Sequence, residues 1–377
     1  MNLGLNEEQQ MLKKSARDFL SKECPKKLVR ELDASDEGFS RGLWNKMMEL
    51  GWIGLAVPEK YGGGGGSFLD LVVLLEEMGY NITPGPFFSN VVLAGYTLLE
   101  GANEEQKELF LKRICSGESI ITLALTELDG TYGPETINTT ANKLGDVYVI
   151  NGTKLFVPDA QIVDYMIVVC RTDRDKKFSE GISLFLVDAH SKGIKCTRLD
   201  TIARDKLYEV VFDNVAISHN DIIGALNEGW PIMESVLKKA AVAKCAEMVG
   251  GAQASLEMAV NYAKERVQFR HPIGSFQAIQ HYCANMVTDV DGSRYITYRA
   301  SWALSENQPA DIEVSMAKAW TSDAYNRVTA TAHQIFGAIG FTMDHDMHLY
   351  YRRAKAAEMA YGDADYHRQV VARQMGL

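Results

Sequence analysis

Residues 144–157 read Leu-Gly-Asp-Val-Tyr-Val-Ile-Asn-Gly-Thr-Lys-Leu-Phe-Val. The run 147–150 is short and β-rich, and Leu144-Gly-Asp and Asn151-Gly on either side of it are turn signals. Runs of the same kind recur at 120–125, 165–170, 182–187 and 209–212. Short strands joined by tight turns predict a compact barrel or sandwich rather than β-α-β units. Outward from this region the periodicity changes. In residues 7–20, Met11, Leu12, Ala16, Phe19 and Leu20 recur at helical spacing, and 39–50, 68–78 and 104–115 repeat the pattern. Pro58, Gly62 to Gly66, Pro84 and Pro86 mark loops between those helices. Beyond Asn227 and Pro231, helical patterns run over 232–267, 311–333 and 349–361. The order is an α+β multidomain chain: an all-α domain over 1–118, a β-domain over 119–218 and a helical bundle over 219–377.

The 377 residues suffice for two or three domains, and 46% hydrophobic with 23% charged residues is ordinary for a protein with a real core. A formal charge of −10 does not suit nucleic acid or an anionic membrane surface. It leaves room for an anionic ligand held by a few local Arg or Lys residues. The cysteines at 24, 115, 170, 196, 245 and 283 show no C-x-x-C spacing and no zinc pattern, which predicts reduced thiols in a cytoplasmic protein. The N-terminus MNLGLNEEQQMLKK has no apolar signal core, and no apolar run is long enough for a membrane span. No dinucleotide-binding, P-loop or nucleophile-elbow motif is present.

Several segments, in order, resemble the acyl-CoA dehydrogenase family over essentially the whole chain. They are Thr126-Glu127, Ile150-Asn-Gly-Thr-Lys-Leu-Phe-Val157, Glu209-Val-Val-Phe-Asp-Asn-Val215, Tyr262-Ala-Lys-Glu-Arg-Val-Gln-Phe269, Pro272-Ile-Gly-Ser-Phe-Gln277 and Gln334-Ile-Phe-Gly-Ala-Ile-Gly340. The resemblance implies an N-terminal helical domain, a middle β-barrel and a C-terminal four-helix bundle. It implies FAD between barrel and bundle, partly contacted by a neighbouring subunit, in a homotetramer or heterotetramer. By family position, Leu125 and Thr126 would present backbone and hydroxyl groups to the flavin ring, and Phe156 would stack on it. Arg266 would meet the pyrophosphate as a fork of donors, and Phe269 and Gln277 would line the adenosine side. Gln334 and Gly337 would approach the diphosphate from the partner chain, where glycine permits close backbone contact. The sequence departs from the family pattern in places. Leu128-Asp-Gly-Thr-Tyr132 replaces a serine-bearing glycine loop, Pro158 a threonine, Arg270 a glycine, and Ala338 the second glycine of a pair.

The family's chemistry takes a proton from beside a thioester carbonyl and a hydride from the next carbon, and it needs a carboxylate base. The two places where the family keeps that glutamate hold Tyr361 and Ala240 here. Glu247 lies seven residues after Ala240, two turns and about 10 Å along the same helix face, among small residues. It is the first substitute, and a structural Glu paired with Lys244 is the alternative. Asp363 is the second candidate, with ribose binding as its other role. Tyr361 and Gly362 would shape the substrate pocket. Phe87 and Phe88, in Pro84-Gly-Pro-Phe-Phe-Ser-Asn90, would line the acyl site by family position and favour a cyclic, branched or bulky acyl-CoA. Core packing is the other role open to both rings. The implied electron partner is an electron-transfer flavoprotein. An oxidase and a non-catalytic partner subunit are the competing functions.

Overall fold

The computed structural model describes residues 4–130 and 132–377. Residues 1–3 of the N-terminal stretch, and Thr131 of the segment that replaces the family's glycine loop, lie outside the described residues. The first helices are α1 (Glu7–Glu23), α2 (Lys26–Ala34), α3 (Arg41–Glu49) and α4 (Phe68–Asn81). A π-helix (Phe88–Gly95) then leads into α5 (Tyr96–Gly101) and α6 (Glu104–Cys115). The strands follow as β1 (Ile121–Ala124), β2 (Thr140–Leu144), β3 (Val147–Pro158), β4 (Tyr165–Arg171), β5 (Ile182–Asp188), β6 (Ile194–Leu199), β7 (Leu207–Ser218) and β8 (Ile222–Ile223). The chain ends with α7 (Gly229–Glu265), a hairpin of β9 (Val267–Gln268) and β10 (His271–Pro272), α8 (Gln277–Ser305), α9 (Asp311–Phe336), α10 (Met347–Met359) and α11 (Ala364–Gln374). The order is helices, sheet, helices, as the sequence implies. No helix among the described residues is long and apolar enough to cross a membrane. The chain divides into two compact units, one of residues 31–66 and 84–237, the other of residues 1–30, 67–83 and 238–377.

The first unit is built on the sheet, ordered β6-β7-β3-β2-β4-β5-β8, with β1 added parallel to β4. The expected turn at Leu144-Gly-Asp is the β2–β3 hairpin, with Leu144 opposite Val147. The second expected turn, Asn151-Gly, is not a turn. It lies inside β3, where the register with β7 shifts between Ile150 and Gly152. The glycine serves close approach instead: a β-carbon there would sit 2.5 Å from Thr139 Oγ1. Asn151 Oδ1 accepts the Asn214 N–H at 2.8 Å, which fastens the bulge to β7.

The second unit is helical. α4 starts with a capping box, in which Ser67 Oγ accepts from Asp70 N–H at 3.2 Å and Asp70 Oδ2 accepts from Ser67 N–H at 2.7 Å. α4 carries Glu76 and Glu77 into the interior at 1% and 0% exposure. Glu76 accepts from Lys13 Nζ on α1 (2.7 Å) and from Arg294 Nε (3.1 Å) and the Tyr298 hydroxyl (2.5 Å) on α8. Glu77 pairs with Arg17 of α1, whose Nη2 donates to Oε1 at 3.1 Å. Arg294 also reaches Gln253 on α7 at 2.7 Å. Burial alone would raise the Glu76 carboxyl, but Lys13 and Arg294 outweigh it and hold it below the ordinary carboxylate value.

α4 and α7 cross backbone to backbone. A β-carbon on Gly250 would fall 1.8 Å from the Glu76 carbonyl oxygen, and one on Gly79 2.1 Å from that of Glu247. Neither obstacle is a flexible side chain, so Gly250→Ala must push the helices apart. We expect a loss of about 2–3 kcal/mol in urea unfolding of this unit. An unchanged midpoint would mean the helices do not cross as described.

Candidate active site

In the sheet unit the site residues are set by one buried ion pair. Glu127, 7% exposed, follows β1, and Lys154, fully buried, stands on β3. Lys154 Nζ donates to Glu127 at 2.6 Å and to the Leu125 carbonyl at 3.0 Å. Glu127 also accepts the N–H groups of Asn138 (2.9 Å) and Thr139 (3.0 Å), so both of its oxygens are engaged. Burial pushes the Glu127 carboxyl up, but Lys154 and these donors hold it below its usual value. Leu155 N–H donates to Thr126 O at 2.8 Å. Leu125 and Thr126, both half-buried, are thereby fixed against β3.

The next residue on β3 is Phe156. It sits at a register irregularity between Lys154 and Val157, at φ +53°, with 52% of its surface exposed. A positive φ on an aromatic residue is strained, and a bulge that turns a ring outward re-aims a side chain towards a ligand. Of the two expected acyl-site rings, Phe87 is buried at 2% exposure and Phe88, half-buried, opens the π-helix Phe88–Gly95. Sequence reasoning left that π-helix unread, and π-turns cluster at functional sites. Within it Asn90 Oδ1 accepts the Ile121 N–H at 2.8 Å and fixes the start of β1, while its buried Nδ2 has no acceptor among the described residues.

In the helical unit, Arg266, Phe269 and Gln277 are all exposed, around the hairpin between α7 and α8. Phe269 is 85% exposed. Gln334 is exposed on the last turns of α9, and Gly337 closes that helix at φ 62°, ψ −142°, with nothing within 4 Å of a β-carbon placed on it. An exposed aromatic wall such as Phe156 is chemically suited to a flavin ring. Taken by themselves, the donors, aromatic ring and open backbone of the helical unit are suited to a diphosphate and an adenosine.

The segment 360–363 is a strained turn between α10 and α11. Tyr361 and Gly362 have φ +57° and +96°. Lys318 of α9, fully buried, donates to the carbonyls of Glu358 (2.9 Å) and Gly362 (2.7 Å) and to Ser322 Oγ (3.1 Å). His367 Nε2 lies 3.0 Å from the Tyr361 carbonyl, and its Nδ1 3.2 Å from Ser315 Oγ. A carbonyl only accepts, so Nε2 carries the proton and Nδ1 accepts from the serine. Burial drives Lys318 down to about 8 and His367 down to about 4. Asp363 caps α11, accepting Tyr366 N–H at 2.8 Å. Glu247 is partly exposed and pairs with Lys244 at 2.5 Å, while Ala240 is fully buried. Lys244 in turn raises the local positive potential at Lys318, the anchor of the 360–363 turn. Lys154, Lys318 and His367 were not singled out from sequence. A lone lysine among Ser315, Ala317, Ala319 and Ser322 was the available signal for Lys318.

Models of three domains match the chain: "Acyl-CoA dehydrogenase, N-terminal domain" over residues 6–118, "middle domain" over 122–215 and "C-terminal domain" over 227–376. The chain is 32% identical to a 3-(aryl)acrylate reductase of Clostridium sporogenes, covering 98% of each protein. It is 30% identical to a subunit of the caffeyl-CoA reductase-Etf complex of Acetobacterium woodii, over 97% of this chain and 98% of that one. The structure of butyryl-CoA dehydrogenase from Megasphaera elsdenii superposes with a TM-score of 0.94 at 28% identity over 100% of both chains. The chain belongs to the acyl-CoA dehydrogenase family of FAD-dependent oxidoreductases.

Proposed function

We propose that the chain moves electrons between the Cα–Cβ bond of an acyl-CoA thioester and an electron-transfer flavoprotein, as dehydrogenase, with Glu247 as the base. The observation that carries the residue assignment is that Glu247 is a partly exposed carboxylate on α7, two turns along from the buried Ala240. FAD, when bound, supplies the acceptor for the hydride. Leu125, Thr126 and Phe156 would hold its ring side, and Arg266, Phe269, Gln277, Gln334 and Gly337 its diphosphate and adenosine. Glu247 takes the proton from the carbon beside the thioester carbonyl, and Lys244 steadies the carboxylate between turnovers. Tyr361 and Gly362, held by Lys318 and His367, wall the substrate. Asp363 is the second candidate base, but its Oδ1 already caps α11. Phe87 and Phe88 favour a cyclic, branched or otherwise bulky acyl group. The relatives named as reductases support running the same site in the opposite direction. The assembly is a homotetramer, or a heterotetramer with a related chain.

One observation favours a second reading. Neither Tyr361 nor Ala240 is a carboxylate, and Glu247 is already engaged by Lys244. A chain of that kind would serve as the partner subunit that completes another chain's site.

The test is anaerobic addition of acyl-CoA thioesters to the purified, FAD-loaded protein while the flavin band is followed. Bleaching by an alicyclic or branched thioester supports the proposal. A flavin that no thioester bleaches supports the partner role, and palmitoyl-CoA as the fastest substrate removes the bulky-acyl reading. Glu247→Gln should slow bleaching at least ~100-fold with the flavin retained; wild-type bleaching would clear Glu247 of the role. His367 gives a pH prediction. Its folded value of about 4 lies below the ordinary 6.5, so its stabilisation is complete above pH 6.5 and is lost as pH falls through 4. The difference amounts to roughly 3 kcal/mol. His367→Gln, which can still donate to the Tyr361 carbonyl, should flatten the melting profile between pH 6.5 and 4; an unchanged acid limb would refute the assignment.

A further inference from the structure

The β9–β10 hairpin pairs Gln268 with His271 and Val267 with Pro272, so its loop is the two residues Phe269 and Arg270. Both have positive φ, +50° and +69°. This is the mirror-image turn that Asn-Gly ordinarily fills, because a β-carbon is disfavoured at both positions. Within the described chain little offsets that strain. Phe269 is 85% exposed, and its ring meets Phe276 edge-on with centroids 6.2 Å apart. Among the described residues the side chain of Arg270 makes no hydrogen bond or ion pair, and the same holds for Arg266. The backbone of Arg266 is nevertheless fixed: its N–H donates to Tyr262 O and its carbonyl accepts from Ile273 N–H, each at 2.8 Å. The hairpin and the residues flanking it thus carry two unpaired guanidinium groups and two exposed rings. Uncompensated strain at an exposed tip points to something outside the chain that the tip is shaped to hold.

We infer that Arg270 is the second cation of a two-arginine clamp for an adenosine diphosphate group. Arg266 and Arg270 hold the two phosphates, and the exposed face of Phe269, braced edge-on by Phe276, stacks on the adenine. The inference rests on the FAD reading above and goes beyond it, because it assigns a binding role to the arginine that replaces the family's glycine. FAD and coenzyme A both carry this group, so the experiment separates them.

Arg270→Gly has effects of opposite sign on the two states. Glycine relieves the turn, so the melting temperature of the flavin-free protein should rise. Removal of the cation should weaken the diphosphate ligand about tenfold. FAD affinity is read from quenching of flavin fluorescence on titrating the flavin-free full chain. Coenzyme A affinity is read by calorimetry on the FAD-loaded chain, with Arg266→Met as a parallel variant. Weaker FAD with unchanged coenzyme A places the clamp on the flavin, and the reverse places it on the thioester's carrier. Unchanged affinity for both, while Arg266→Met weakens FAD, overturns the inference and leaves the FAD reading standing. If the wild type takes up no FAD, the FAD reading fails, and the inference falls with it unless Arg270→Gly weakens coenzyme A binding to that flavin-free chain.

Discussion

Two adjacent carboxylates on α4, Glu76 and Glu77, are almost wholly removed from water, and the helical unit is arranged around neutralising them. α1 contributes Lys13 and Arg17, and α8 contributes Arg294 and Tyr298. A buried carboxylate with one partner removed costs about 3–5 kcal/mol, so these contacts work as a set that fixes the positions of the helices. The same stretch of α4 presses on α7 at Gly79 and Gly250, with no room for a β-carbon. α7 therefore cannot slide or rotate without breaking the charge cluster. Its Lys244–Glu247 pair is placed by that restraint.

The candidate site repeats this logic on a smaller scale. Non-glycine residues at positive φ, Phe156 and Tyr361, stand where function is expected, and each lies beside a buried cation that grips backbone carbonyls. Lys154 holds Leu125, and Lys318 holds Glu358 and Gly362. A strained backbone persists only where its surroundings over-determine it. The two lysines are therefore structural cations, each turned towards main chain.

Much of this was legible in the sequence, and the parts that were not have physical causes. The hairpin at Leu144-Gly-Asp is read from its turn residues, and the helical stretches over 7–20, 39–50, 68–78, 104–115, 232–267, 311–333 and 349–361 from their period. α8 escaped because its buried face carries Ser293, Thr297 and Ser301 beside Met286 and Val290, so burial there does not follow apolarity. β2 buries only Ala141, and β6, at one end of the sheet order, has no buried residue, so neither carries a core-facing apolar run. Asn151-Gly reads as a turn locally, and only the nearness of Thr139 makes it a bulge. At the site, the segments bearing Thr126 and Phe156 stood out. The Glu127–Lys154 pair that joins them, 27 residues apart in sequence, did not. Arg266, Phe269, Gln277, Gln334 and Gly337 are named from resemblance alone; the first four are exposed and Gly337 is half-buried. Glu247 was named with Lys244 as its alternative partner, and that pairing is present.

The discontinuity of the helical unit bears on how the chain is made. α1 and α4 leave the ribosome early, with Glu76 and Glu77 already on them, yet Arg294 is encoded 218 residues after Glu76. At about 5–20 residues per second, that delay is roughly 10–45 s. For that time, of the four cluster partners, Glu76 and Glu77 have only Lys13 and Arg17, while residues 84–237 of the sheet unit are synthesised in between. In the nascent chain α1 and α4 thus wait longest for their partner on α8, and a chaperone that shields them would act during that interval.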